Sequence, residues 1–373
     1  MSDRTRRITI ICAALAILSG ILYFGLRPKD LTLANSIRWL ASDNGIRVDT
    51  YGLAYSPPFI APPTPGSGQE TALTIELAVQ TASTASGQFS FLLALDNGDD
   101  SAQLLLGQWR SWFILMNGDD YAHRKKRRRL SVDTATLPDG ILFLTVTTSG
   151  DGTRLYCNGK PAAASKNVTL TIPAGGKSRL LLGNSAYGTH SWRGNIYGLA
   201  IYPQVLGANT ISAHYRRWAR LRDFRFALQE APMVLYRFAE KEGNIVRDDA
   251  GSADLEIPRP LRVLRRQVLV PPWKNFEFKR GLLVDALLNL LAFIPFGFFT
   301  AAALRQLGGR LSAKAFQLAV LLCVMTSLLI EILQSWLPSR SSTLLDLTLN
   351  SLGALTGVVC YTIFSGRRRR PRF

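Results

Sequence analysis

The chain has 373 residues, 47% of them hydrophobic, and a formal net charge of +18. That length is enough for two or three domains and a sizeable core. The apolar residues are unevenly spread, which excludes an ordinary soluble protein. Four runs stand out: Ile8 to Leu26, Leu282 to Leu304, Ala315 to Leu337 and Leu344 to Phe364. Each reaches the ~20 residues that a helix needs to cross ~30 Å of hydrocarbon.

The first run follows Arg4, Arg6 and Arg7 and carries no charge. A cleaved signal peptide would share that basic start, but no small-x-small cleavage site follows Leu26, so the reading is an uncleaved anchor. The other runs carry one acid each: Asp285, Glu331 and Asp346. Basic residues gather before the first run, between the second and third (Arg305, Arg310, Lys314) and after the fourth (Arg367 to Arg370, Arg372). Positive-inside bias then predicts cytoplasmic termini and an extracytoplasmic segment from residue 27 to 281, in an inner or plasma membrane. The outer segment is itself basic. Nucleic acid is excluded as a partner by that location, leaving anionic glycans, envelope polymers or lipid headgroups; oligomeric state is open.

Cys157 is the one cysteine outside the apolar runs, so no internal disulfide is expected there. Neither the cysteines nor His123, His190 and His214 show metal-ligand spacing.

From Leu31 to Trp218 short apolar runs alternate with turn signals such as Asn97-Gly98, Asn117-Gly118, Asp151-Gly152 and Asn158-Gly159. This pattern predicts an antiparallel β-sandwich over residues 31–218. The stretches Thr153 to Lys160, Trp192 to Pro203 and Leu235 to Gly243 resemble the laminin-G or concanavalin-A-like superfamily. The third lies late for such a domain, as a degenerate second unit or a strand returning to the sandwich. Glucanases of this fold use Glu-x-Asp-x-x-Glu, and no such pattern occurs between Arg27 and Gly281. The resemblance therefore implies binding rather than hydrolysis. Asp96, Asp99 and Asp100 offer oxygen ligands for calcium, or simply form a solvated turn. No other cofactor is expected.

The run Arg124, Lys125, Lys126, Arg127, Arg128 and Arg129 is the sharpest feature of this region. It reads either as a solvated loop or charged strand edge, or as a patch for a polyanionic glycan or phosphate headgroup. Residues 219–281 read as a β-rich extension and a tether, with Trp273, Phe276 and Phe278 at the headgroup layer.

The C-terminal runs, over residues 282–366, carry paired polar residues at helical spacing: Asp285 with Asn289, Glu331 with Gln334, and Asp346 with Asn350. Arg340 lies in the short outer loop between them. Ionisable groups at this depth face a bundle interior or cavity, so these seven residues are the candidate ligand site. In a purely structural role, Glu331 and Arg340 would be a hairpin-fixing salt bridge and the amides interhelical glue. Gly353-x-x-x-Gly357 reads as a packing motif, and Pro295 as a kink.

In order, Asp285-x-x-x-Asn289, Phe293-Ile294-Pro295-Phe296-Gly297, Glu331 to Gln334, Pro338-Ser339-Arg340 and Asp346-x-x-x-Asn350 resemble the VanZ-like family. That family takes its name from a protein linked to teicoplanin resistance and occurs in envelope and exopolysaccharide contexts. It implies a location and a motif without a reaction. Three functions stay open: a binder of an envelope polymer and a lipid-linked ligand; an enzyme with Glu331 as acid or base, Arg340 steering a phosphate and Asp346 as a further candidate; or a scaffold. The anchor is expected over residues 1–30 and a basic tail over 367–373.

Overall fold

The computed structural model describes residues 2–26, 33–59, 72–82, 87–137, 140–173, 178–272, 280–308, 313–337 and 342–367. The chain divides into two compact units, Thr32–Arg265 and the combination of Met1–Leu31 with Arg266–Phe373.

Among its described residues the first unit contains sixteen strands: β1 Arg38–Trp39, β2 Ile46–Val48, β3 Ala54–Tyr55, β4 Leu73–Thr81, β5 Ser90–Asp96, β6 Leu104–Trp109, β7 Trp112–Asn117, β8 Leu130–Asp133, β9 Leu142–Ser149, β10 Gly152–Cys157, β11 Lys160–Ser165, β12 Arg179–Leu182, β13 Gly194–Tyr202, β14 Val234–Tyr236, β15 Ile245–Val246 and β16 Leu255–Glu256. They form two sheets, ordered β1-β2-β13-β4-β9-β10-β11 with β14 also on β13, and β15-β16-β3-β12-β5-β6-β7-β8. The ladders within both sheets are antiparallel. This is the expected sandwich.

Between the sheets, Leu73, Ile75, Leu77 and Val79 from β4 meet Leu93, Leu95, Leu104, Leu106, Phe113 and Leu115. Period-2 alternation predicts that the intervening residues are solvated. They are not: Thr74, Glu76 and Ala78 are buried as well. The outer face of that sheet is roofed by helix α1 (Ala208–Leu221) together with Phe224 and Phe226. Ile211, His214 and Trp218 form the buried stripe of α1 at helical spacing. Leu33, Leu53 and Leu261 help cover the other sheet.

The stretch after Trp218, expected as an extension and tether, folds into the sandwich unit as far as Arg265. Arg222 turns left-handed and its N–H caps α1 on the Trp218 carbonyl. β14 then pairs with β13 and β16 with β3. Of the two readings of Leu235–Gly243, the returning strand is the observed one. Arg237 bridges Asp223 and Asp249, holding this return in place.

The described residues of the second unit form four long helices. Besides the N-terminal helix Asp3–Leu26, called αN here, they are α2 Arg280–Gly308, α3 Ala313–Gln334 and α4 Leu344–Arg367. All four are long and apolar enough to cross a membrane. αN is more than an anchor: Ile17, Leu18, Ile21, Leu22 and Leu26 pack against Phe293, Phe296, Cys323, Ile330 and Ala354. α2 and α4 make the tightest seam, with Gly353 against the Leu290 carbonyl and Gly357 against the Ile294 carbonyl. A methyl at Gly357 would lie 2.0 Å from that carbonyl oxygen, so only glycine fits. α2 continues through Pro295 as one helix.

Candidate functional site

The polar cluster of the helical unit is organised around the first turn of α4. Thr343 is its N-terminal capping residue: its hydroxyl accepts from the Asp346 N–H at 3.0 Å and donates to Asp346 Oδ2 at 2.7 Å. In an ordinary capping box the acid three residues on would accept the cap's own N–H. Here Glu331 of α3 takes that N–H, with Oε2 at 2.9 Å. Asn289 of α2 donates to Asp346 Oδ1 at 2.6 Å. Three helices thus converge on one helix N-terminus, where the backbone dipole favours negative charge.

A strap closes over this point. The Leu269 N–H donates to the Ser342 hydroxyl, the Val270 N–H to the Ser342 carbonyl, and the Leu344 N–H to the Val270 carbonyl. Arg266 lies 3.6 Å over the Trp336 ring. Residues 266–270 therefore run beside the turn joining α3 to α4. Glu331 and Ser342 are buried beneath it.

The seven residues expected at the site separate into groups. Asn289, Glu331 and Asp346 come together through Thr343. Asn350 is buried one turn deeper and donates to the Ser327 hydroxyl at 2.9 Å, while its own Oδ1 accepts nothing among the described residues. Gln334 turns away to αN and donates to the Gly25 carbonyl at 2.8 Å. Asp285 is exposed on the surface of α2 rather than turned into the cluster. Arg340 lies outside the described residues, as do Trp273, Phe276 and Phe278. Thr343, Ser342 and Ser327 were not singled out in the sequence; the Thr-x-x-Asp spacing at 343–346 was the available signal.

In the sandwich, the basic run is a shaped loop between β7 and β8. Asp120 is buried at its root and accepts the N–H groups of Lys125 and Arg127, both at 2.9 Å. Burial opposes its charge, but those N–H groups and His123 hold its carboxyl below the usual range. Asp119 pairs with Lys125 at 2.8 Å, Arg127 donates to the Ser101 carbonyl and Arg128 to the Asn167 carbonyl. The cations are splayed around an acidic root instead of stacking on one another.

The aspartates considered for calcium point elsewhere. Arg265 takes Asp96 at 2.6 Å and Asp100 at 2.9 Å, and Tyr187 also donates to Asp100. Asp99 accepts from the Ser101 N–H. A guanidinium thus sits between two of the three carboxylates. Among the described residues no group of three or more His, Cys, Asp and Glu side chains could hold a metal.

Sequence reasoning missed the buried network under α1. Glu76 has no exposure, and its Oε2 accepts from the Tyr202 hydroxyl at 2.9 Å and lies 3.0 Å from His214 Nδ1. Thr145 donates to Oε1 at 3.4 Å. Burial and the neighbouring Glu76 charge raise the Tyr202 phenol well above its ordinary value. Residues 138 apart gave no local signal.

These features define a polytopic membrane protein whose large β-rich domain is an antiparallel, concanavalin-A-type sandwich. Two family models match it in parts: VanZ/LLP1 over residues 233–365, and the concanavalin A-like lectin/glucanases superfamily over residues 59–212. The C-terminal part is accordingly VanZ-like, and its match begins inside the sandwich unit, at β14. No curated protein matches the chain. Similar solved structures include a putative carbohydrate binding protein from Bacteroides ovatus ATCC 8483, at 12% identity and TM-score 0.39, covering 57% of this chain and 56% of that one. Others are the Ruminococcus gnavus IT-sialidase CBM40 bound to α2,3-sialyllactose (16%, TM-score 0.33, 46% of this chain and 96% of that one) and the receptor binding domain of botulinum neurotoxin D (15%, TM-score 0.35, 53% and 48%). The match thus spans little more than half the length of the first of these structures.

Proposed function

We propose that the protein is an envelope binding protein: its sandwich captures an anionic glycan or polymer, and its helical cluster holds the polar headgroup of a lipid-linked or amphiphilic ligand. The observation that carries the second half is the meeting of Asn289, Glu331, Thr343 and Asp346 at one helix N-terminus, with Asn350 Oδ1, unpartnered among the described residues, below it. Buried acceptors of this kind suit a hydroxyl-bearing headgroup, because an acceptor left without a donor costs about 1–3 kcal/mol. Mass spectrometry of lipid co-purifying with the full-length protein tests it. A bound glycolipid or lipid-linked saccharide is expected, and bulk phospholipid alone would sink the reading.

The mutual satisfaction of Asn289, Asp346, Thr343 and Glu331 favours a second reading, a scaffold in which these bonds only join three helices. The enzyme reading keeps Glu331 as its candidate acid or base.

The topology belongs to the same proposal, with both termini cytoplasmic and residues 27–281 outside. An alkaline phosphatase fused after Trp218 is expected to be active and one after Phe373 inactive; the opposite pattern overturns it. Capture of polymer is assigned to the loop from Arg124 to Arg129. Replacing Arg124, Lys126, Arg128 and Arg129 with Ser leaves the Asp119–Lys125 and Asp120–Arg127 contacts intact. Retention on an immobilised acidic polysaccharide at low salt is expected to vanish in this variant, and to vanish in the unmodified protein at high salt. Equal retention of both proteins would leave the loop a solvated edge.

A further inference from the structure

The β6–β7 hairpin ends in Trp109-Arg110-Ser111-Trp112, with Trp109 and Trp112 directly paired across the strands. Directly opposed residues project to the same face. Both indoles are 37% exposed, on the face opposite the inter-sheet core that Phe113 and Leu115 enter. Two large aromatics stand side by side on a surface here, whereas Trp192 and Trp218 of the same unit are almost completely buried and Trp39 is half-buried.

The hairpin tip is held firmly. Arg110 has φ of 55° at the first turn position, a conformation that ordinarily belongs to glycine. Its carbonyl accepts from Gln108 Nε2 at 2.7 Å, and Gln108 Oε1 accepts in turn from the buried Trp192 indole at 2.6 Å. The Ser111 carbonyl accepts twice from Thr134, through its N–H at 2.9 Å and its hydroxyl at 2.8 Å. Trp109 Nε1 donates to the Gly87 carbonyl, and the Arg110 guanidinium lies 4.7 Å over the Trp109 ring. Among the described residues no ring or cation packs on Trp112. Backbone strain stabilised by so many bonds, with a half-exposed Trp112 ring on which no other ring packs among the described residues, is the arrangement of a preorganised contact surface.

We infer that Trp109, Arg110 and Trp112 form a stacking platform for a pyranose ring of the glycan, a reading that rests on the glycan-binding role proposed above. An indole face matches the apolar C–H face of a sugar, and the guanidinium supplies donors to ring hydroxyls or a uronic carboxylate. The apex itself is Arg110-Ser111, both polar, which argues against insertion into a bilayer. The platform is separate from the basic loop, which follows the far end of β7, about 17 Å away along a six-residue strand.

The test uses full-length protein in lipid nanodiscs and an array of neutral and uronic-acid-containing oligosaccharides, read at high salt so that capture by the basic loop is screened. Trp112→Ala is expected to weaken retention about tenfold or more, and Trp112→Phe to retain most of it. Equal retention by Trp112→Ala, or no retention of any pyranoside by the unmodified protein, overturns the inference. So does a component of emission quenched by brominated phosphatidylcholine in the disc that disappears when Trp109 and Trp112 are both replaced by Phe, which would place the tip in a membrane surface. Failure of the basic-loop reading would instead appear only in the low-salt experiment.

Discussion

Glu76→Ala is expected to destabilise the sandwich by about 3–5 kcal/mol, the cost of removing one member of a buried polar pair. The reason is the company the carboxylate keeps. Tyr202, His214 and Thr145 all reach it, and His214 and Tyr202 are themselves buried. Alanine would leave their polar atoms facing one another in the buried layer between β4 and α1, and would open a cavity as well. Glu76→Gln keeps the volume and an oxygen for Tyr202, so a smaller loss of about 1–2 kcal/mol is expected. Chemical denaturation of the full-length protein in detergent, followed by tryptophan emission, measures both. A midpoint for Glu76→Ala within experimental error of the parent would show that α1 is held by its apolar stripe alone.

Glu331 should show the second large effect, and it separates the readings of the helical site. Glu331→Ala orphans the Thr343 N–H at the start of α4, a structural cost of about 1–3 kcal/mol. Glu331→Gln keeps an oxygen for the same N–H. A scaffold is expected to tolerate Glu331→Gln, with thermal stability and bound lipid near those of the parent. A ligand site is expected to lose its co-purifying glycolipid in Glu331→Gln while the helices stay assembled. Retention of the glycolipid by Glu331→Gln together with loss of assembly in Glu331→Ala would assign the residue to structure only.

Membrane-length helices and a sandwich were legible because both are periodic properties of short segments. A run such as Leu344 to Phe364 needs no partner to be recognised, and neither does a strand ending in Asn158-Gly159. Spacing placed Asp285 with Asn289 and Asp346 with Asn350 on single faces of their helices, and the contact of Asn289 with Asp346 came only with the packing of α2 against α4 along the glycine seam. Asp285 shows the limit: helical spacing put it on the same face as Asn289, yet it stands exposed while Asn289 reaches Asp346. A face spans a wide arc, and only the position of the neighbouring helix decides which residue enters the interface.

The hairpin Trp109-Arg110-Ser111-Trp112 escaped notice for a related reason. It contains none of the dipeptides that favour positive φ, and its turn is held by Gln108 and Thr134 instead. Glu76 was passed over because an acid in an alternating strand reads as solvent-facing. Its burial depends on α1 folding back across the sheet from residue 208 onward. The sequence by itself determined which segments are helices, which are strands and where apolar surface must be hidden, because those follow from local geometry and water. The tertiary structure alone decided which polar groups share a buried space, because that depends on contacts between residues far apart in the chain.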